Sequence, residues 1–120
     1  MDQSQRVLVI EDEENMRILI AEELQDEGFT VDTASNAQEG MERLTINEYD
    51  LVTIDVEMPG MSGLEVAGLI RDKKIPVKII LLTAYSHYKA DLSSWAADAY
   101  VVKSSDFTEL KQAISDLSKL

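Results

Sequence analysis

The sequence predicts a doubly wound α/β fold, in which helices cover both faces of a five-stranded parallel sheet ordered 2-1-3-4-5. Two observations carry this prediction. Short apolar runs alternate with stretches of helical period from end to end, as expected of βα units joined by right-handed crossovers. The first, third and fourth runs are predominantly apolar, as expected of strands covered on both faces. The second alternates polar and apolar residues, which suits an edge. A length of 120 residues fits a single domain spanning 1–120, large enough to bury a core without disulfides or a structural metal.

The elements follow in order. Val7-Leu8-Val9-Ile10 reads as a buried parallel strand. Met16, Leu19, Ile20 and Leu24 then recur at helical spacing until Gly28 offers a C-terminal stop. Thr30 to Ala34 is the alternating second strand, and Asn36 with Glu39 forms a capping box for a helix carrying Met41 and Leu44. Leu51-Val52-Thr53-Ile54 is the third strand. Ser62 and Glu65 make a second capping box, opening a helix with Leu64, Ala67 and Ile70 inward. Val77 to Leu82 is the most apolar strand and is read as central. Ser86 to Ala97 has a weak helical pattern anchored by Leu92 and Trp95, and is expected to be the most mobile element. Ala99 to Val102 is the fifth strand, and Asp106 with Glu109 caps a last helix with Phe107, Leu110, Ile114 and Leu117 inward. The strand order is the flavodoxin-like one, and ligands of such sheets sit beyond the carboxyl ends of the strands, at the switch point.

Composition excludes several chemistries. With no cysteine there is no disulfide, thiolate metal site or thiol nucleophile, and the lone His87, read as a surface residue, excludes a two-imidazole site. Eleven basic residues against 23 acidic ones give a formal charge of −12 with no Lys/Arg cluster, which argues against direct nucleic-acid binding. The acidity serves solubility or favours basic partners. No apolar run is long enough to span a bilayer and nothing marks the start for secretion, so no membrane association and a cytoplasmic location are expected.

The strand ends hold the candidate site. The first strand ends in Glu11-Asp12, the third in Asp55, the fourth in Thr83 and the fifth in Lys103. The fold therefore gathers three carboxylates, a hydroxyl and an ammonium at one sheet edge. At about 4 Å and an effective dielectric near 20, each carboxylate pair costs roughly 4 kcal/mol, more than one lysine offsets. The cluster calls for a divalent cation, and all-oxygen ligands favour Mg²⁺, or Mn²⁺, over zinc. Aspartate can act as a nucleophile and form an acyl phosphate, with the cation, Lys103 and the Thr83 hydroxyl stabilising phosphoryl oxygens. Each residue has a plainer reading too. Asp12 could cap the first helix, Asp55 could cap a loop, Thr83 suits a strand, and Lys103 could be a solvated charge. Their joint arrival at consecutive strand ends favours the phosphoryl-transfer site.

These residues also carry a resemblance. V-L-V-I-E-D-E, I-D-V-E-M-P-G-M-S-G, L-L-T-A-Y and A-Y-V-V-K stand in the order and spacing of receiver domains of two-component response regulators of the chemotaxis-regulator type, from Arg6 to Leu117. The resemblance implies that Asp55 is the phosphoacceptor, with Mg²⁺ held by Asp12, by Glu11 largely through water, and by the Glu57 backbone carbonyl. Lys103 would pair with the phosphoryl group, and Thr83 would move towards it while Tyr100 turns inward. Ala84 matches the small residue after the switch threonine. Glu57 and Tyr85 match the control points for dephosphorylation. In the loop after Asp55, Pro59 fixes the turn, and Gly60 and Gly63 permit unusual backbone angles. Two departures stand out: Ser104 replaces the usual proline after the lysine, so a trans bond is expected there, and the acidic pair is Glu-Asp rather than Asp-Asp.

The implied partners are a histidine kinase or phosphotransfer protein, and an output domain or effector met by the face of the fourth helical segment, fifth strand and last helix. Tyr88, Lys89 and Tyr100 would lie on or near that face, which also suits a homodimer, and Trp95 is read as structural. Such a chain is a switch rather than an enzyme proper, catalysing its own phosphorylation and dephosphorylation, either standing alone or as the receiver of a longer protein. Two other readings remain. One is a phosphate-independent interaction module with a vestigial site, against which stands the presence of every expected group but the proline. The other is a Mg²⁺-dependent phosphohydrolase with Asp55 as nucleophile, which lacks a cap-sized insertion.

Overall fold

The computed structural model describes residues 5–85 and 96–118. Its strands are β1 (Arg6–Ile10), β2 (Thr30–Ala34), β3 (Leu51–Asp55), β4 (Lys78–Thr83) and β5 (Ala99–Val102). Its helices are α1 (Glu14–Asp26), α2 (Ala37–Ile46), α3 (Gly63–Asp72) and, last in the chain, α4 (Thr108–Ser118). All strand pairs are parallel, and the sheet order is β2-β1-β3-β4-β5, as the sequence predicts. The middle of the sheet is β3, buried along its whole length; β4, read as central, lies between β3 and β5. The weak helical segment before β5, with His87, Tyr88, Lys89 and Trp95 and its expected mobility, lies outside the described residues except for Ala96 and Ala97.

Alternation of side chains along the strands builds two cores. Leu8, Ile10, Val52, Ile54, Ile79 and Leu81 pack with Leu44 of α2 and with Val66, Ala67 and Ile70 of α3. Val7, Val9, Leu51, Ile80, Leu82 and Val101 point the other way, to Ile20 and Leu24 of α1 and to Leu110 and Ile114 of α4. The sheet is thus covered on both faces, which explains its predominantly apolar inner strands.

Helix ends match the sequence signals with three changes. The α3 capping box is complete, with Ser62 and Glu65 bonded reciprocally. At α2, Asn36 accepts from the Glu39 N–H, but the Glu39 carboxylate reaches past it to the N–H and hydroxyl of Ser35. The cap of α1 is Glu13, whose Oε1 accepts from Met16 N–H at 2.6 Å, so Asp12 is not needed there. Leu64 does not face inward as expected: it is 37% exposed, and Val66 takes the buried position. The predicted end of α1 holds, closed by bonds from Gly28 N–H to the Gln25 carbonyl and from Phe29 N–H to that of Leu24.

The turn after β3 is packed closely against the strand. Gly60 has the positive φ expected of it, at 79°. Gly63 is needed for a different reason: its N–H donates to the Val56 carbonyl at 3.0 Å, and a Cβ there would overlap the Asp55 carbonyl. Backbone cannot yield as a flexible side chain would, so Gly63→Ala is expected to cost about 1–3 kcal/mol. A lowered urea midpoint at unchanged slope would register that loss.

Candidate functional site

Strand register sets the site. Ile10 pairs with Ile54, Asp55 with Leu82, and Thr83 with Val102. The pairing runs one residue past the strand ends, with Glu11 N–H bonded to Ala34 O at 3.0 Å and Lys103 N–H to Thr83 O at 2.7 Å. Glu11, Asp55, Thr83 and Lys103 therefore leave one edge of the sheet from fixed backbone positions. Glu11, Asp55 and Thr83 are buried, whereas Asp12 is exposed at the mouth.

The predicted cluster forms. One carboxylate oxygen each from Glu11, Asp12 and Asp55 lies within 4.8 Å of the others. Lys103 Nζ stands 2.9 Å from Asp55 Oδ1 and 3.2 Å from Glu11 Oε1. Asp55 Oδ1 also accepts from the Glu57 N–H at 3.1 Å. The bond after Lys103 is trans, as expected with Ser104 in place of proline, and Lys103 still reaches Asp55. Tyr100 is half-buried against the core that holds Ala96 and Ala97, and Tyr85 is half-exposed beside Thr83.

Two features had no reading in the sequence. The Arg17 guanidinium donates to the Glu11 carbonyl at 2.9 Å, tying α1 to the end of β1; its spacing, one helical turn beyond the cap, was the available signal. The Glu57 carboxylate accepts hydrogen bonds from the Thr83 hydroxyl and the Ala84 N–H. That contact joins the turn after β3 to the end of β4, and only the strand pairing reveals it.

Burial pushes the Asp55 carboxyl up to about 7; the hydrogen bond from Lys103 opposes this, while the Glu11 charge and a hydrogen bond with Asp12 add to it. Burial works against the Lys103 ammonium, but its hydrogen bond to Asp55, with the charges of Glu11 and Asp55, leaves its pKa raised. A divalent cation fits these residues. Three converging carboxylates face one ammonium, and buried Glu11 Oε1 has no hydrogen bond, Lys103 standing at ion-pair distance only. All-oxygen donors suit Mg²⁺.

Fold and site together define a class: a doubly wound α/β domain with an acidic, lysine-bearing cluster at the carboxyl edge of its sheet. The model of the response regulator receiver domain family matches residues 7–115, and the chain belongs to that family. Response regulator ArlR of Staphylococcus aureus is 33% identical over 106 residues, 88% of this chain and 48% of ArlR; the chain spans about half the length of the curated relatives it matches. Response regulator TrrA of Thermotoga maritima, in a crystal structure with Mg²⁺ and BeF, is 60% identical, with 94% of this chain and 98% of that one covered and a TM-score of 0.88. A crystal structure of histidine kinase ThkA in complex with TrrA matches at 59% identity, covering 94% and 97% of the two chains, with a TM-score of 0.86.

A carboxyl whose folded pKa is raised from 3.8 to about 7 binds a proton in the folded state that the unfolded chain has released. Stability from this group is full below about pH 4 and is lost as pH rises through 7. In EDTA, Asp55→Asn should melt at nearly the parent temperature near pH 4 and well above it at pH 7.5. Added Mg²⁺ should narrow the gap at pH 7.5 by stabilising the parent. Thermal melts across that range check both signs.

Proposed function

We propose that residues 1–120 form the phosphoacceptor switch of a two-component system, acting in the cytoplasm. Asp55 accepts a phosphoryl group from the phosphohistidine of a histidine kinase or phosphotransfer protein. The observation that carries this is the Asp55 carboxylate itself, 1% exposed at the end of β3, 2.9 Å from Lys103 Nζ and inside the acidic cluster. Support comes also from TrrA, crystallised with Mg²⁺ and BeF and with its kinase partner ThkA.

In this reading an Asp55 oxygen attacks phosphorus, the P–N bond to imidazole breaks, and an aspartyl phosphate remains. Lys103 stabilises the phosphoryl oxygens. Glu11, Asp12, Asp55 and the Glu57 carbonyl would hold Mg²⁺, or Mn²⁺ in its place, which supplies positive charge to offset the carboxylates and phosphoryl oxygens when bound. Thr83 and Tyr100 carry the switch to the face formed by the segment before β5, by β5 and by α4. There an output domain, an effector or a second copy binds, and phosphorylation shifts an existing equilibrium between two surfaces. Water returns the switch to its starting state, with Tyr85 screening the acyl phosphate and Glu57 governing the attacking water. Direct nucleic-acid contact has no part in this reading, given the net charge of −12.

Intact mass after incubation with Mg²⁺ and acetyl phosphate tests the core of it. The parent should gain one phosphoryl group, Asp55→Asn none, and EDTA should abolish the gain. A parent that stays unmodified would leave a binding module with a vestigial site.

A further inference from the structure

The Glu57 side chain leaves the turn after β3 and crosses to the end of β4. There its Oε2 accepts a hydrogen bond from Thr83 Oγ1 at 2.6 Å, and its Oε1 accepts one from the Ala84 N–H at 3.0 Å. Thr83 Oγ1 itself accepts from the Tyr85 N–H at 3.1 Å, so its one proton is committed to Glu57. A hydroxyl and an amide set side by side against two oxygens of one anion make an oxyanion cradle, and a phosphoryl group would use the same two donors.

We propose that the Glu57 carboxylate is an internal competitor, filling the Thr83–Ala84 cradle in the unphosphorylated chain until a phosphoryl group on Asp55 displaces it. The inference rests on Asp55 as phosphoacceptor. Thr83 is buried and turned to Glu57, so its hydroxyl is not free to receive a new anion while that contact stands. Glu57 is half-buried, so its displaced carboxylate can move into water at little cost. A phosphoryl group tethered to Asp55 competes at high effective concentration, whereas a dilute free anion does not. The contact therefore sets a threshold that covalent attachment crosses.

Charge alone would also make Glu57 disfavour an incoming anion, and chain length separates the two effects. Glu57→Asp keeps the charge but is one methylene too short to bridge both donors; Glu57→Gln keeps the length and loses the charge. Calorimetric titration of parent and both variants with beryllofluoride in Mg²⁺ is the test, with amide hydrogen exchange at Ala84 in metal-free protein beside it. Competition predicts that both variants bind about three- to tenfold more tightly than the parent, and that the Ala84 N–H exchanges faster in Glu57→Asp. Parent-like affinity in Glu57→Asp, with or without a gain in Glu57→Gln, overturns the competitor. A parent that binds no beryllofluoride and gains no phosphoryl group overturns the phosphoacceptor reading itself, and the inference with it.

Discussion

Three carboxylates at the edge of one sheet, two of them buried, repel one another by about 3 to 4 kcal/mol per pair at 4.8 Å and an effective dielectric near 20. Lys103 relieves part of this by reaching both Asp55 and Glu11, yet the cluster keeps an excess of negative charge. Side chains in such a field would turn outward to water if their backbones allowed it. They are held by the parallel register, which places Glu11, Asp55 and Lys103 at the ends of adjacent or nearly adjacent strands, and by flanks with no room to move. Val9, Ile10, Ile54 and Leu82 are almost wholly buried, Arg17 fixes the Glu11 carbonyl, and Gly63 lets the following turn press on the Asp55 backbone. The core thus bears the cost of a site crowded with like charge, and a bound cation would relieve that repulsion.

The same register determines how the site reaches the rest of the molecule. Thr83 lies at the end of β4, one strand from the Asp55 carboxylate, and the chain leaves it through Ala84 and Tyr85. The return is anchored elsewhere. Arg71 of α3 donates to the Ala96 and Val77 carbonyls at 2.8 and 2.9 Å and pairs with Asp98 at 2.7 Å. Asp98 Oδ2 in turn accepts from the Ile79 N–H at 2.8 Å. One end of the segment between β4 and β5 is therefore fastened to the core and the other to the Thr83–Glu57 contact. The two described ends of that segment are thus held differently, one by a network of charged and backbone bonds and the other by a single carboxylate.

Much of this was legible in the sequence, because hydrophobic period and strand-end position are local properties. All five strands, four helices and the Glu11, Asp12, Asp55, Thr83 and Lys103 set follow from the alternation of apolar runs and one topological rule. The failures have a common cause. Glu13 caps α1, which leaves Asp12 to the acidic cluster, because the choice between adjacent acids depends on where the strand lets go of the chain. Leu64 faces outward and Val66 is buried because, in the first turn of a helix, the inward direction depends on the angle at which the turn delivers it. Glu57 reaches Thr83 across a separation of 26 residues, and no local pattern encodes a bond between two strand ends. Sequence reading recovers which residues arrive at an edge, while the partner each chooses there is settled in three dimensions.

The serine after Lys103 shows how that choice can replace a residue the family usually supplies. A proline at this point would fix the direction of the chain as it leaves β5. Here the position of Lys103 is already set from the other side, since its N–H extends the ladder to the Thr83 carbonyl at 2.7 Å. Ser104 then turns the chain by other means: its Oγ accepts from the Asp106 N–H at 3.0 Å, and Asp106 Oδ1 accepts from both the N–H and the hydroxyl of Thr108 at the start of α4. Two side-chain turns in series do the steering, with no cis bond required among the described residues. Because the ladder bond lies upstream of Ser104 and the turns lie downstream, the ammonium depends on the sheet and the start of α4 depends on the serine. The departure from the family pattern therefore falls on the path into α4 and leaves the contact between Lys103 and Asp55 intact.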